Sequence, residues 1–219
     1  MVGNGNNTLQ IINITDPTNM VILSTLSDAD MNTAYKVVCD LTRSLVFVGA
    51  YGSKKMVIID VSNPLQPIKK GVYYDSTYMD ALRDIVYDDA RELLFVTNSS
   101  SPGRVACIDV SDENNPIFIN GVTLTQDRAF GISLDPVRKR IFVCSFNNDA
   151  LTVIDVTNPS SGLIIKGTVT TESASPNLLN FAYDVAYDNV RQYVYTTGAC
   201  APGALVVVDV SDPDNPNIV

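Results

Sequence analysis

Apolar residues run through this chain in short bursts, each closed off by Asp, Asn, Gly or Pro. The bursts repeat. One reads Ile11-Ile12-Asn13-Ile14-Thr15-Asp16-Pro17 and returns as Ile58-Ile59-Asp60-Val61-Ser62-Asn63-Pro64. It comes back as Cys107-Ile108-Asp109-Val110-Ser111-Asp112, Val153-Ile154-Asp155-Val156-Thr157-Asn158-Pro159 and Val207-Val208-Asp209-Val210-Ser211-Asp212-Pro213. The central Asn or Asp falls at 13, 60, 109, 155 and 209, a period of about 47 residues. A second burst keeps the same beat: it ends in Asp40-Leu41-Thr42-Arg43, Asp88-Asp89-Ala90-Arg91, Asp135-Pro136-Val137-Arg138 and Asp188-Asn189-Val190-Arg191. Each of these Arg residues precedes the Asp of the first motif by 17 or 18 residues. Two motifs in fixed phase exclude coincidence.

Each repeat reads as four short strands, A to D. In the first complete repeat they are expected over 34–40, 44–50, 55–61 and 68–74, rich in Val, Ile, Tyr and Phe. The A–B turn carries Asp-x-x-Arg, where the Asp side chain can accept from backbone N–H groups. The C–D turn carries Ser/Thr-Asn/Asp-Pro, and Pro stops a ladder because it has no N–H to donate. Four strands in every 47 residues or so is the pattern of an all-β propeller, one four-stranded antiparallel blade per repeat. One domain over 1–219 is expected. Its blades run 31–76, 77–124 and 125–171, with a partial blade at 1–30 and an incomplete one at 172–219. On this phasing the chain forms part of a propeller, not a sealed ring. It should leave residues such as Ile11, Ile12 and Leu23 under-covered and favour self-association through its open ends.

Strand C, as in Met56-Val57-Ile58-Ile59-Asp60 or Leu205-Val206-Val207-Val208-Asp209, resembles the LVIVD repeat family. The Ser-Asn-Pro that follows, the later Pro67, Pro116 and Pro216, and Gly71, Gly121 and Gly167 fit that family too. More loosely, the chain is similar to YVTN-type propellers of surface-layer proteins. It departs from the pattern at Asn13, at the missing Pro after Asp112 and in the longer insert 171–180. The resemblance implies a binding propeller of a cell-surface or secreted protein.

Composition narrows the chemistry. There is no histidine among the 219 residues, which removes Ser-His-Asp and Cys-His catalysis and imidazole metal ligands. The net charge of -9, spread along the chain, argues against nucleic acid and anionic lipid as partners. No apolar run is long enough for a membrane-inserted helix, and Met1–Asn7 does not read as a signal peptide. Cys39, Cys107, Cys144 and Cys200 occupy unlike places in their repeats and are expected to be unbridged, buried thiols. No metal or other cofactor is expected.

Candidate functional positions follow from the phasing. Counting back four residues from each turn Asp gives Lys36, Asp84, Gly131 and Asp184, and five gives Tyr35, Arg83, Phe130 and Tyr183. On strand A these positions lie near the channel mouth. Asp84 and Asp184 could hold a calcium ion or contact a small ligand; the alternative is that each accepts from backbone N–H groups of the neighbouring blade. Asp28-Ala29-Asp30-Met31-Asn32 has the start of a calcium loop but lacks its later ligands, and reads as an inter-blade loop. The B–C and D–A loops vary in sequence and carry Tyr51, Tyr74, Tyr78 and Phe146 on or beside them, as a recognition surface would. Asp40/Arg43, Asp88/Arg91, Asp135/Arg138 and Asp188/Arg191 recur in every blade, so they are expected to be structural turns, with surface ion pairs worth about 0–1 kcal/mol. The function expected is a non-catalytic scaffold binding a protein or small ligand. The alternatives are a calcium-dependent propeller hydrolase using Asp84 and Asp184, and a structural component of a larger layer or particle.

Overall fold

The computed structural model describes residues 2–3, 7–171, 177–198 and 203–219. It contains five antiparallel meanders. The first has three strands, β1 (Val2–Gly3), β2 (Thr8–Asn13) and β3 (Val21–Ser27). The second runs β4 (Ala34–Asp40), β5 (Leu45–Ala50), β6 (Lys55–Asp60) and β7 (Ile68–Tyr74). The third comprises β8 (Leu82–Asp88), β9 (Leu93–Asn98), β10 (Arg104–Asp109) and β11 (Ile117–Thr123). The fourth comprises β12 (Ala129–Asp135), β13 (Arg140–Ser145), β14 (Ala150–Asp155) and β15 (Ile164–Thr170). The fifth comprises β16 (Ala182–Asp188), β17 (Tyr193–Gly198), β18 (Ala204–Asp209) and the two-residue β19 (Asn217–Ile218). Apart from two three-residue 3₁₀ turns, Ala29–Met31 and Pro159–Ser161, the described residues hold no helix, and none long and apolar enough to cross a membrane.

Why strand C carries apolar residues on both faces is clear from the packing. Its alternate residues do not divide between core and water; they divide between two neighbouring sheets. Met56 and Ile58 pack toward the third sheet with Ile85, Leu94 and Val96, while Val57 and Ile59 pack toward the first with Leu9. Val105 and Cys107 face the fourth sheet, and Leu151 and Val153 face the fifth. The core is therefore four slabs, one between each pair of successive sheets, of the kind expected when sheets stack face to face. The inner strands pack in series, β1 on β4, β4 on β8, β8 on β12 and β12 on β16; the described residues show no comparable packing of the fifth sheet on the first.

The motif Asp or Asn ends strand C for a local reason. Asp60, Asp109, Asp155 and Asp209 each accept from the backbone N–H two residues on, turning the chain. Asn13 accepts the same bond from Thr15 N through its amide oxygen, so the departure at this position leaves the turn intact.

Two details differ from the sequence-based expectation. Cys39 is exposed, not buried: it lines an open groove between the first and second sheets with Leu9, Val37, Val46 and Val61. Cys107 and Cys144 are buried and free, and burial pushes both thiols up, Cys107 to about 12; Cys200 lies outside the described residues. Ile11, Ile12 and Leu23 are partly covered, and the bare apolar residues of the first sheet are Ile14, Met20, Val21 and Ile22 instead.

Candidate channel-mouth site

The four inner strands bring Tyr35, Lys36, Arg83, Asp84, Phe130, Gly131, Tyr183 and Asp184 around one cavity of about 240 Å³. A regular strand would send adjacent residues to opposite faces. Here every inner strand bulges at this point. Ala34 pairs with Ala50 but Lys36 with Gly49, which leaves Tyr35 extra, and Tyr183 is extra in the same way between Ala182 and Asp184. Arg83 and Asp84 together oppose Thr97, and Phe130 and Gly131 together oppose Cys144. A bulge re-aims side chains, so both members of each pair reach the mouth.

The charges in the cavity are largely consumed by the fold. Lys36 Nζ lies 2.8 Å from Asp84 Oδ1. Asp84 also accepts from Ile85 N at 2.8 Å and, across the sheet boundary, from Ile132 N at 3.2 Å. Burial pushes the Asp84 carboxyl above its ordinary value, opposed by Lys36 and the two N–H groups. Thr97 adds a second link between sheets, its hydroxyl donating to Phe130 O at 2.5 Å. Asp184 is exposed and, among the described residues, accepts only from the N–H of Val185, at 2.9 Å. Gly131 permits the fourth and fifth sheets to close here: a Cβ on it would stand 2.7 Å from Asp184 Cα.

Above the charges lies a belt of rings. The Arg83 guanidinium is 5.1 Å from the Tyr35 ring, 4.9 Å from Tyr51 and 4.6 Å from Phe130. Its Nε donates to Ser99 Oγ at 3.1 Å. Phe146 stacks on Phe130 at 4.8 Å and on Phe181 at 4.8 Å, and Tyr183 meets Phe130 edge-on at 5.2 Å. The belt thus crosses from the second sheet to the fifth. Phe181 was not singled out by sequence. Its signal was its slot: it precedes the first residue of strand A, where the other repeats carry Thr33, Ala81 and Arg128. It adopts a left-handed conformation with φ of 53°, like Thr33 and Arg128, a costly state for a bulky side chain.

Not every expected residue joins the site. Tyr78 packs on Phe118 at 5.1 Å and over Gly121, so it is an outer-strand packing residue. Tyr74 is exposed at the end of β7 and touches none of the belt's rings. Asp28 and Asp30 are held by Lys69, at 2.6 and 3.0 Å, and Asp30 by Lys55 at 2.5 Å. Among the described residues no three Asp, Glu or Cys side chains gather as a metal ion would need.

At the opposite end of the inner strands, the Asp-x-x-Arg turns are more than surface ion pairs. Asp40, Asp88 and Asp135 are buried. Arg43 pairs with Asp40 at 2.6 Å and donates to Val110 O of the next sheet at 2.9 Å. Arg91 does the same with Asp88 and Val156 O. Tyr87 and Tyr187 donate backwards across sheet boundaries to Asp40 and Asp135. In the turn of the fourth sheet Arg138 meets Asp135 and Tyr187, and Arg140 supplies the bond to Val210 O. Arg191 holds only Asp188 among the described residues and is two-thirds exposed.

Solved structures with the same fold are numerous. A functionally unknown protein from Desulfotomaculum acetoxidans aligns with a TM-score of 0.79 at 12% identity, over 99% of this chain and 63% of its own. A proposed 6-phosphogluconolactonase from Bacteroides uniformis gives 0.77 at 12%, over 99% and 64%. Sqt1 from Chaetomium thermophilum, solved bound to the N-terminus of ribosomal protein L10, gives 0.71 at 10%, over 99% and 56%. The chain therefore spans less than two thirds of the length of these structures, and the likeness is one of β-propeller fold alone. No protein of curated function matches in sequence. The LVIVD repeat model matches residues 1–28, 46–75, 141–171 and 193–219, more than half of the chain. With four separate matches in the phase of the strand-C motif, the chain belongs to the LVIVD repeat family.

Proposed function

We propose that this chain is a non-catalytic binding propeller that takes its ligand at the channel mouth, as a domain of a cell-surface or secreted protein. The observation that carries the reading is the ring belt from Tyr51 to Phe181, laid over a cavity whose Lys36–Asp84 pair is already closed by the fold. Aromatic side chains supply contact area at low entropic cost, which suits recognition. A catalytic carboxylate needs a free oxygen aimed at substrate, and both oxygens of Asp84 are engaged by the chain itself. Propellers host many activities. The Chaetomium Sqt1 structure, a propeller holding a peptide segment, supports a binding role for the fold. The Bacteroides neighbour motivates the hydrolase alternative, which would use Asp84 and Asp184.

The two separate in one experiment. Peptide and glycan arrays are probed with the chain and with Phe146→Ser/Phe181→Ser, and lactone hydrolysis is followed with and without calcium. A ligand retained by the native protein and lost by the ring variant supports binding at the mouth. Calcium-dependent turnover abolished by Asp84→Asn would replace this reading with the hydrolase.

A further inference from the structure

We propose that Arg83 anchors a subsite for a small carboxylate carried on a flat ring. This rests on the channel mouth being a binding site and names what binds there.

The charge inventory of the cavity is the first observation. Lys36 is paired with Asp84 at 2.8 Å. Asp184 lines the same cavity from the fifth sheet, separated from Arg83 by Phe130 and Gly131, and makes no ion pair with it. Among the described residues Arg83 meets no carboxylate within 4.0 Å, although two line its own cavity. The arginines of the turns behave otherwise: Arg43, Arg91, Arg138 and Arg191 each hold an Asp. Even Arg91, the other arginine placed over a ring, has Asp88 beside it.

The geometry of the guanidinium is the second. Three rings lie within 4.6 to 5.1 Å of its centre, and Ser99 takes its Nε–H. The two terminal nitrogens keep their N–H bonds without a protein acceptor among the described residues. A guanidinium so placed offers its end-on fork, the arrangement that matches the two oxygens of a carboxylate. The rings around it lower the local polarity and strengthen such a bond. They also give a flat body attached to the carboxylate a surface to stack on, the exposed rings of Tyr35 and Tyr183 that line the cavity on either side of Phe130. The cavity, about 240 Å³, lies below the usual range for drug-sized ligands and suits a single-ring acid. The chain's net charge of -9 provides no general attraction for an anion, so binding would depend on this one side chain.

The test uses benzoate and N-acetylphenylalanine, with benzamide and N-acetylphenylalaninamide as uncharged counterparts, titrated into the full chain and followed by NMR. Saturable binding of either acid without its amide is expected, and which acid binds tells whether the carboxylate arrives free or on a chain end. Arg83→Gln should weaken the acid about tenfold or more, with melting temperature as the check on folding. If Arg83→Gln does not fold, Arg83→Lys is read instead: it keeps the charge without the fork and should weaken the acid as well. Asp184→Asn should tighten it by removing the nearby negative charge. Equal binding of acids and amides, or Arg83 variants that bind like the native protein, would overturn the proposal. A mouth ligand found on the arrays, lost in the Phe146/Phe181 variant but indifferent to Arg83, would sink this inference alone and leave the binding role standing.

Discussion

Asp88 is 1% exposed and takes its charge partner from the turn itself, Arg91 at 2.7 Å, with Lys139 at 3.9 Å. Removing one partner of a buried pair leaves a charge without compensation. Arg91→Ala should therefore lower unfolding free energy by about 2–4 kcal/mol, read from urea midpoints. Arg191→Ala, in the same motif but with its arginine two-thirds exposed and its Asp188 only partly buried, should cost only a small fraction of that. Equal effects at the two positions would mean that burial does not set the strength of the turn. Asp40 makes the same case through pH. Burial pushes its carboxyl up, but the Tyr87 hydroxyl and the backbone and side chain of Arg43 outweigh it and hold it at about 2. A carboxyl depressed in the folded state stabilises above its ordinary value and ceases to do so as pH falls toward the folded one. Stability should thus decline between about pH 4 and pH 2, with Asp135 adding in the same sense and Asp84, shifted upward, opposing. Asp40→Asn should flatten that acid limb in a pH series of denaturation curves; a limb as steep as that of the native chain would assign it elsewhere.

At the scale of the strand, the bulges decide whether a site exists. Without the extra residue on β4, β8, β12 and β16, Tyr35 and Lys36 would point to opposite faces, and likewise their counterparts. On β12 the bulge also presses the backbone of the fourth sheet against the fifth at Gly131. Gly131→Ala would place a methyl carbon 2.7 Å from Asp184 Cα, a backbone atom that cannot turn aside. The expected loss is about 1–3 kcal/mol, with a distorted mouth that weakens any ligand held there. Thermal unfolding would settle it, since an unchanged melting temperature would mean the sheets can part at no cost. Much of this was legible beforehand. Strand positions came within a residue, because Asp, Pro and Gly punctuate the repeat, and counting back from the turn Asp named the eight residues that line the cavity. The bulges were not legible, since an extra residue leaves no mark when every position of a strand is apolar or lines the mouth. Neither was the reach of Arg43 and Arg91 to Val110 O and Val156 O, which depends on how one sheet sits on the next. Tyr78 misled for a related reason: Gly121 opens the space its ring occupies, and the two are 43 residues apart in sequence.

Over the whole molecule, the rule that strand C serves two neighbours makes the outer sheets differ from the inner ones. Met56, Val105 and Leu151 are fully buried against a following sheet, whereas Leu205, their counterpart in the fifth, is 69% exposed. Val110, Val156 and Val210 are fully buried against a preceding sheet, whereas Ile14, their counterpart in the first, is 67% exposed. Among the described residues the Arg191 turn makes no bond to a carbonyl of a following sheet, whereas Arg43, Arg91 and Arg140 reach Val110, Val156 and Val210 O, and Ile14 is the first sheet's counterpart of those acceptors. The two bare faces are therefore the two halves of the interface that recurs inside the molecule. The 219-residue chain in isolation should associate head to tail, Leu205 face on Ile14 face, because apolar surface of this kind is costly to leave in water. Such an interface is heterologous and gives a series of oligomers, not only a dimer. Sedimentation velocity should show sizes that grow with concentration. Leu205→Lys and Ile14→Lys should each be monomeric alone, since each blocks one half. Mixed together, they keep one good face apiece and should form a one-to-one pair and nothing larger. A native chain that stays monomeric at every concentration, or variants that associate alone, would show that the exposed faces do not recognise each other.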